Sequence, residues 1–194
     1  MAKKFIAALA DSGLFLREWF ANPQRTGAVA PSSPKLAAAM AHWLPANPDS
    51  YVLELGPGTG AVTSALLDHG LREDRLVAIE NNPKMASLLR KRFPGAHIIT
   101  GDAWHLETLL RECREPIESV GAVISSLPLV NFPLEQAEQL AEKIRSVLEP
   151  QGNWVQYSYH IHRRSTRGTS RFHLRASKIV WLNLPPARVN VYQK

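Results

Sequence analysis

The amino-acid sequence predicts an α/β domain with a doubly wound, mostly parallel sheet of seven strands. Two observations support this fold class. Short apolar runs alternate with helix-length segments along most of the chain, as expected for a parallel sheet covered by helices on both faces. The apolar run at residues 52–55 leads into Gly56, Gly58 and Gly60, a spacing that allows a sharp turn against a ligand. With 194 residues, 45% of them hydrophobic, the chain is predicted to form one domain over residues 1–194.

The segment before the predicted sheet divides into two parts. Residues 1–22 predict an N-terminal amphipathic helix, because apolar side chains such as Phe5 and Phe20 recur on one side of it. Residues 23–33 are rich in proline, glycine and small side chains, and predict a capping loop long enough to cover a site. The core of the domain is then expected over residues 34–194.

Strands and helices alternate in the predicted core. Strands are expected near residues 52–55, 76–80, 98–102, 120–126 and 154–159. Helices are expected near residues 34–44, 61–69, 83–92, 104–113 and 134–148. Two further extended runs, 178–184 and 187–192, are separated by Pro185 and Pro186 and predict a closing C-terminal β-hairpin. The result is a Rossmann-like fold, whose ligands bind at the carboxyl ends of the parallel strands.

Charge is distributed unevenly along the chain. The net charge is +6, but residues 151–194 carry eight basic and no acidic side chains, whereas the first 150 residues carry 15 basic and 17 acidic ones. A basic segment of this kind predicts an anionic partner, either nucleic acid or an acidic membrane surface. A solvated basic loop without a partner is the alternative.

Cysteine, histidine and hydropathy patterns narrow the class of protein. Cys113 is the only cysteine, which excludes an internal disulfide and a Cys-rich zinc site. Four of the histidines are scattered and predict no metal cluster: His42, His69, His97 and His105. No run approaches 18 apolar residues, so neither a spanning helix nor a secretory signal is predicted, and we expect a cytoplasmic protein.

Glu54 distinguishes the glycine turn from a dinucleotide-binding turn. A dinucleotide fingerprint has the spacing G-x-G-x-x-G and binds a pyrophosphate at a helix N-terminus, where a preceding glutamate would repel it. Here the spacing is E-x-G-x-G-x-G. It suits a ligand with an ammonium and a sulfonium and without phosphate, and it disfavours a nicotinamide-dependent oxidoreductase.

Together with the ends of the next strands, this turn resembles the motifs of class I S-adenosylmethionine-dependent methyltransferases. The resemblance implies S-adenosyl-L-methionine as cofactor, with Glu80 receiving the ribose hydroxyls and Asp102 contacting the adenine. Taken singly, each acid could instead cap a strand or a helix. The implied cofactor-binding residues are Glu54, Gly56, Gly58, Gly60, Glu80, Asn81, Asp102, Ala103 and Ser125.

The loop after the fourth strand bears on the methyl acceptor. In family members that methylate adenine in nucleic acid, this loop usually has Asn or Asp, then a short pair with proline, then an aromatic, whereas this chain has Ser126, Leu127, Pro128 and Leu129. A purine would lose its stacking partner, worth about 1–3 kcal/mol in base-binding sites. We therefore expect no nucleic-acid partner. An rRNA adenine-type N-methyltransferase and a non-catalytic lipid-binding module stay as alternatives.

A closer resemblance is to bacterial phospholipid N-methyltransferases, carried by residues 25–33, 54–60, 125–133 and 183–189. It implies methylation of phosphatidylethanolamine and its mono- and dimethyl derivatives toward phosphatidylcholine. The expected protein is cytoplasmic and bound peripherally to the inner face of the membrane. Residues 3–20 and the basic C-terminal segment, 151–194, would meet the anionic membrane surface.

Acceptor-site residues follow from the chemistry of a lipid amine. Candidate proton acceptors at the end of the fifth strand are Tyr157, Tyr159 and His160, with ordinary strand aromatics and a surface histidine as the alternative. Arg188 could pair with a lipid phosphate or form a structural salt bridge. The substrate-binding residues are expected to be Ser126, Leu127, Tyr157 and Arg188.

Overall fold

The computed structural model describes residues 32–162 and 168–194. The predicted helix over residues 1–22, and all but the end of the predicted loop over residues 23–33, lie outside the described residues. The described strands are β1 (Val52–Leu55), β2 (Leu76–Glu80), β3 (His97–Thr100), β4 (Val120–Ser125), β5 (Leu148–Ser158), β6 (His173–Val180) and β7 (Ala187–Gln193). The described α-helices are α1 (Pro34–Ala41), α2 (Ala61–Asp68), α3 (Pro83–Arg92), α4 (Leu106–Arg111) and α5 (Leu134–Val147).

The seven strands form one sheet in the order β3-β2-β1-β4-β5-β7-β6. Neighbours run parallel from β3 to β5, and β7 is antiparallel to both β5 and β6. The predicted fold class is confirmed, including the C-terminal antiparallel hairpin. Strand order reverses between β1 and β4, and sheets of this type bind ligands at the carboxyl ends of the strands beside such a reversal.

Local sequence signals account for the helix starts. The Ser33 side chain accepts a hydrogen bond from the backbone of Leu36, and Pro34 occupies the first turn of α1. Asn82 caps α3 in the same way, and Pro83 follows it. The helix predicted at 104–113 is shorter than expected, because Asp102 caps a 3₁₀ turn before α4 begins.

The core has a layer on each side of the sheet. On one side α4 and α5 pack on the strands, and Trp154 is fully buried against the rings of Phe172 and Tyr192. On the other side Leu89 of α3 and Phe93, which follows the helix, pack against the sheet. Full burial of such a side chain contributes about 1.5–3 kcal/mol to stability.

Among the described residues, no helix is long and apolar enough to span a bilayer.

The sixth strand differs from its predicted position. The sequence predicts an extended run over residues 178–184, but β6 is His173–Val180 and the chain turns after it. This strand is at the edge of the sheet and most of its side chains are exposed, so it lacks the apolar alternation that marks a half-buried strand. The apolar residues after Val180 belong to the connection with β7.

Candidate functional site

The glycine turn after β1 has an open side at Gly58. Its φ angle is +55°, a conformation that side chains with a Cβ rarely adopt. A Cβ added at Gly58 would meet no atom within 4 Å, whereas one at Gly56 would lie 3.0 Å from Cδ2 of Leu127. The turn is therefore packed against the loop after β4 on one side and leaves room for a ligand at Gly58.

Glu80, at the end of β2, is hydrogen-bonded to this turn. Its Oε2 accepts a hydrogen bond from the backbone N–H of Gly58 at 3.0 Å, and its Oε1 accepts one from the backbone N–H of Asn82 at 2.8 Å. The residue is only 9% exposed. One carboxylate thus joins the glycine turn to the start of α3, while Asn81 between them is exposed.

Glu54 is a fully buried carboxyl group beneath the start of α2. Its Oε2 accepts a 2.7 Å hydrogen bond from Oγ1 of Thr63, and its Oε1 has no hydrogen-bond partner among the described residues. Burial raises the pKa of Glu54 to about 7; the Thr63 hydrogen bond opposes this rise and the negative charge of Glu80 adds to it. A buried oxygen without a donor favours a cationic or hydrogen-bonding ligand here.

At the end of β3, Asp102 is exposed and Ala103 is buried. Oδ1 of Asp102 accepts a hydrogen bond from the backbone of Trp104 at 3.0 Å. The Trp104 ring meets Phe132 edge to face at 4.7 Å, and its indole N–H donates to the carbonyl of Gln136. The sequence interpretation missed this aromatic pair, which links the end of β3 to the segment after β4.

The carboxyl end of β4 and the loop after it lie beside the glycine turn. Ser125 is fully buried, and its Oγ accepts a hydrogen bond from the backbone of Leu127 at 3.3 Å. Ser126 extends the ladder by donating its N–H to the carbonyl of Leu55. Leu129, which stands where adenine methyltransferases have an aromatic, is 1% exposed and packs in the core. Ser126 and Leu127 are half-buried and follow Ser125 directly, as does Pro128 after them, so this part of the loop is partly accessible.

Gln156 was not predicted as a site residue, yet it is buried next to Ser125 in the sheet register. Its Nε2 donates to the carbonyls of Leu127 and Tyr157, both at 2.9 Å, and its Oε1 has no partner among the described residues. Asn190 lies opposite it on β7, also buried, with Nδ2 unpartnered in the described part of the chain. The available signal was a polar side chain between Val155 and Tyr157 in the predicted fifth strand.

The predicted proton acceptors lie after Gln156. The rings of Tyr157 and Tyr159 meet edge to face at 5.6 Å. Burial raises the pKa of both phenols, so both stay protonated at neutral pH. His160 is exposed, and its backbone N–H donates to Oγ of Ser158. The pair of rings is better suited to present aromatic faces than to accept a proton.

Arg188, at the start of β7, is half-buried and holds neighbouring segments together. Its Nε donates to the carbonyl of Ile161 at 2.6 Å, and one terminal nitrogen donates to Oγ of Ser177 at 2.7 Å. Both of these partners are neutral, and in the described part of the chain no carboxylate forms an ion pair with Arg188.

A family model described as "Methyltransferase domain" matches residues 52–152, just over half of the chain. The chain belongs to the class I S-adenosylmethionine-dependent methyltransferases. Its cofactor is S-adenosyl-L-methionine, as predicted. This methyltransferase has two features that fit such a cofactor: the unpartnered carboxyl oxygen of Glu54 and the open side of the turn at Gly58.

Relatives differ in how much of the methyltransferase they match. An ornithine lipid N-methyltransferase of Singulisphaera acidiphila is 33% identical over 149 residues, covering 75% of this chain and 77% of the relative. A ribosomal RNA small subunit methyltransferase A of Chlorobium chlorochromatii is 30% identical over 83 residues, covering 42% of this chain and only 30% of that protein.

A solved structure supports the fold. The crystal structure of TrmN from Thermus thermophilus superposes with a TM-score of 0.68 at 18% identity. The match covers 88% of this methyltransferase and 52% of the TrmN chain, so the TrmN chain is about twice as long as the shared region.

Proposed function

We propose that this methyltransferase N-methylates an amine-bearing membrane lipid, namely phosphatidylethanolamine and its mono- and dimethyl derivatives, toward phosphatidylcholine. The observation that carries the proposal is the similarity to the ornithine lipid N-methyltransferase, which extends over three quarters of the chain. That relative is named for an ornithine lipid, which also offers an amine. Ornithine lipid is therefore the substrate to compare with phosphatidylethanolamine.

In this proposal the residues around the glycine turn hold the cofactor. Glu54 offers its free carboxyl oxygen, Gly58 the open side of the turn, and Glu80 the remaining lone pairs of a carboxylate already fixed by two backbone N–H groups. Bound there, the cofactor supplies a methyl group on a sulfonium. Asp102 and Ala103, at the end of β3, would contact its adenine.

The acceptor amine would lie at the carboxyl ends of β4 and β5. A primary ammonium has an ordinary pKa of about 10 and must lose a proton before its nitrogen can accept a methyl group. The polar atoms that would orient this nitrogen are those of Ser126, the carbonyl of Leu127, which accepts a hydrogen bond from Gln156, and Oε1 of Gln156, which has no partner among the described residues. Alignment of this kind can supply roughly 7–11 kcal/mol to a transfer reaction.

Later steps of the series change what the site must bind. A trimethylated amine keeps its positive charge but donates no hydrogen bond, so aromatic faces become its favourable neighbours through cation–π attraction. Tyr157 and Tyr159, whose rings meet edge to face, would supply such faces beside the acceptor position. Arg188 and the basic segment over residues 151–194 would attract the anionic bilayer that contains the substrate.

The test supplies methyl-labelled cofactor to the purified protein with phosphatidylglycerol vesicles that contain either phosphatidylethanolamine or ornithine lipid. Gly58→Ala serves as the inactive variant and Gly70→Ala as its match, because both glycines have positive φ angles and open space around a new Cβ. We expect label in mono-, di- or trimethylated phosphatidylethanolamine, lost in Gly58→Ala and kept in Gly70→Ala. Label confined to ornithine lipid would transfer the proposal to that substrate.

RNA methylation is the second candidate, supported by the partial matches to ribosomal RNA methyltransferases and by the basic C-terminal segment. A parallel reaction with ribosomal RNA in place of vesicles distinguishes the two. Label in RNA, with none in either lipid although the protein binds cofactor, would overturn the lipid proposal.

A further inference from the structure

The connection between β6 and β7 carries three large apolar side chains that face solvent. Trp181 is 66% exposed, Leu182 76% and Leu184 90%, and these are the most exposed of the large hydrophobic residues that the structure describes. They are close in sequence and form one apolar tip, by which we mean Trp181, Leu182 and Leu184. Contiguous exposed apolar surface of this kind is typical of a binding site.

The apolar tip is held in place by the residue at its centre. Asn183 is only 3% exposed; its Oδ1 accepts a hydrogen bond from the backbone N–H of Ser33 at 3.1 Å, and its Nδ2 donates to the carbonyl of Pro185 at 2.6 Å. The side chain of Asn183 therefore points into the protein while those on either side point out. This construction presents the apolar residues on an ordered support.

The topology brings the apolar tip to the same edge of the sheet as the methyltransferase site. β5 is parallel to β4, and β6 and β5 are both antiparallel to β7, so β6 runs in the direction of β1 and β4. Its carboxyl end, where the tip begins, consequently lies on the edge that holds Gly58 and Ser126. A surface bound by the apolar tip would therefore lie next to the edge of the sheet that holds Gly58 and Ser126.

The charge around the apolar tip favours an anionic surface. Lys178 is exposed three residues before Trp181, and no acidic residue occurs anywhere in residues 151–194. A tryptophan with leucines beside basic side chains is the combination that enters the interfacial layer of a bilayer, where the apolar parts are buried and the charges meet lipid phosphates.

We propose that the apolar tip inserts into the interfacial layer of an anionic bilayer and thereby turns the site edge of the sheet toward the membrane. The inference deepens the proposed function, because it says how a lipid amine would reach the site. The docking itself needs no methyl acceptor, so it can be tested without one. It also says which part of the basic C-terminal segment, residues 151–194, would enter the bilayer, whereas the sequence predicted only that this segment and residues 3–20 meet the membrane surface.

The test is binding of the full chain to vesicles of phosphatidylglycerol and phosphatidylcholine, which lack a methyl-accepting amine. The double variant Trp181→Ser/Leu184→Ser is compared with Leu88→Ser/Leu174→Ser, which removes two exposed leucines elsewhere. Leu174 pairs with Tyr192 near the opposite end of the same β-ladder, which makes it a close control. Thermal unfolding of both variants checks that the fold is unchanged.

We expect the tip variant to bind the vesicles about tenfold more weakly or worse, and the control variant to bind as the wild type does. The fluorescence difference between wild type and Trp181→Phe should shift to the blue on binding and be quenched by lipids brominated on their acyl chains. Equal binding by the tip variant, or an unquenched Trp181, would overturn the proposal. So would concentration-dependent dimerisation that the tip variant abolishes, since a second copy would then cover the tip.

Failure of the proposed function gives a different result. Micelle-dispersed phosphatidylethanolamine presents the amine without a bilayer, so the tip variant should methylate it at the wild-type rate if the lipid is a substrate. Vesicle binding through the tip without methylation of either lipid would overturn the substrate and keep the docking. If phosphatidylethanolamine is methylated both in vesicles and in micelles, and the tip variant binds vesicles as the wild type does, the docking is overturned and the substrate is kept.

Discussion

The carboxylate of Glu80 and the backbone N–H of Gly58 are hydrogen-bonded at 3.0 Å, although 22 residues separate them in sequence. The other oxygen of Glu80 accepts the N–H of Asn82. The same side chain therefore sets the position of the glycine turn and of the first residues before α3. Because Gly58 is also where the turn is open, Glu80 would preorganise the proposed cofactor site before a cofactor arrives.

Replacing this carboxylate is expected to weaken both the fold and cofactor binding. In Glu80→Gln an amide nitrogen must face one of the two N–H groups, so one charge-assisted hydrogen bond becomes a donor–donor contact. We expect the free energy of unfolding to fall by about 1–3 kcal/mol and cofactor affinity to fall about tenfold or more. Urea denaturation measures the first and isothermal titration calorimetry the second. Glu115→Gln, at an exposed glutamate, is the control and should change neither.

The raised pKa of Glu54 predicts a pH dependence of cofactor binding. Glu54 titrates at about 7 and is protonated below that, whereas a cationic cofactor beside it would favour the ionised carboxylate. Binding should therefore release a proton, and affinity should fall as pH is lowered below about 7. Calorimetry in buffers of different ionisation enthalpy measures the released proton. Glu54→Gln should bind without releasing it, and an equal release from that variant would contradict the assignment.

The same group predicts how stability without cofactor depends on pH. The folded pKa of Glu54 lies above the unfolded value of 4.5, so between these values the folded state holds the proton more tightly. Stability should consequently fall as pH rises through this window, by roughly 3 kcal/mol at most for the full shift. Urea denaturation at about pH 5 and about pH 8 measures the fall, and Glu54→Gln should remove that part of it. A fall of the same size in the variant would assign it to other groups.

Tyr157 is expected to act through its ring. Burial raises the pKa of its phenol, so the phenolate is not populated at neutral pH. Tyr157→Phe should keep kcat within about threefold and leave its pH profile unchanged, whereas Tyr157→Leu should lose about tenfold in the later methylation steps, where a cation–π contact matters. The labelled-lipid assay, resolved by product, measures both. A pH profile displaced in Tyr157→Phe would instead assign a proton-transfer role to the hydroxyl.

The parts of the structure that the sequence predicted are those governed by local chemistry. The glycine turn follows from three residues that require or permit positive φ, and α3 begins where Asn82 caps it and Pro83 follows. The edge strand β6 was displaced in the prediction because exposed side chains need not alternate. Gln156 was missed because its importance depends on the carbonyl of Leu127, 29 residues away, and on the pairing of β5 with β4 that places it beside Ser125.

Gln156 supplies the sharpest test of the acceptor site, because its two amide atoms have separate tasks. Nε2 donates to the carbonyl of Leu127, while Oε1 is buried, has no donor among the described residues and would accept a hydrogen bond from the amine in the proposed reaction. Gln156→Leu should lower kcat more than tenfold, leave cofactor affinity within about twofold, and destabilise the fold by about 1–3 kcal/mol. Asn153→Leu removes a buried amide three residues earlier on β5 and should destabilise the fold without lowering kcat. If both variants lose activity only in proportion to their stability, Gln156 is a structural residue and the amine is bound elsewhere.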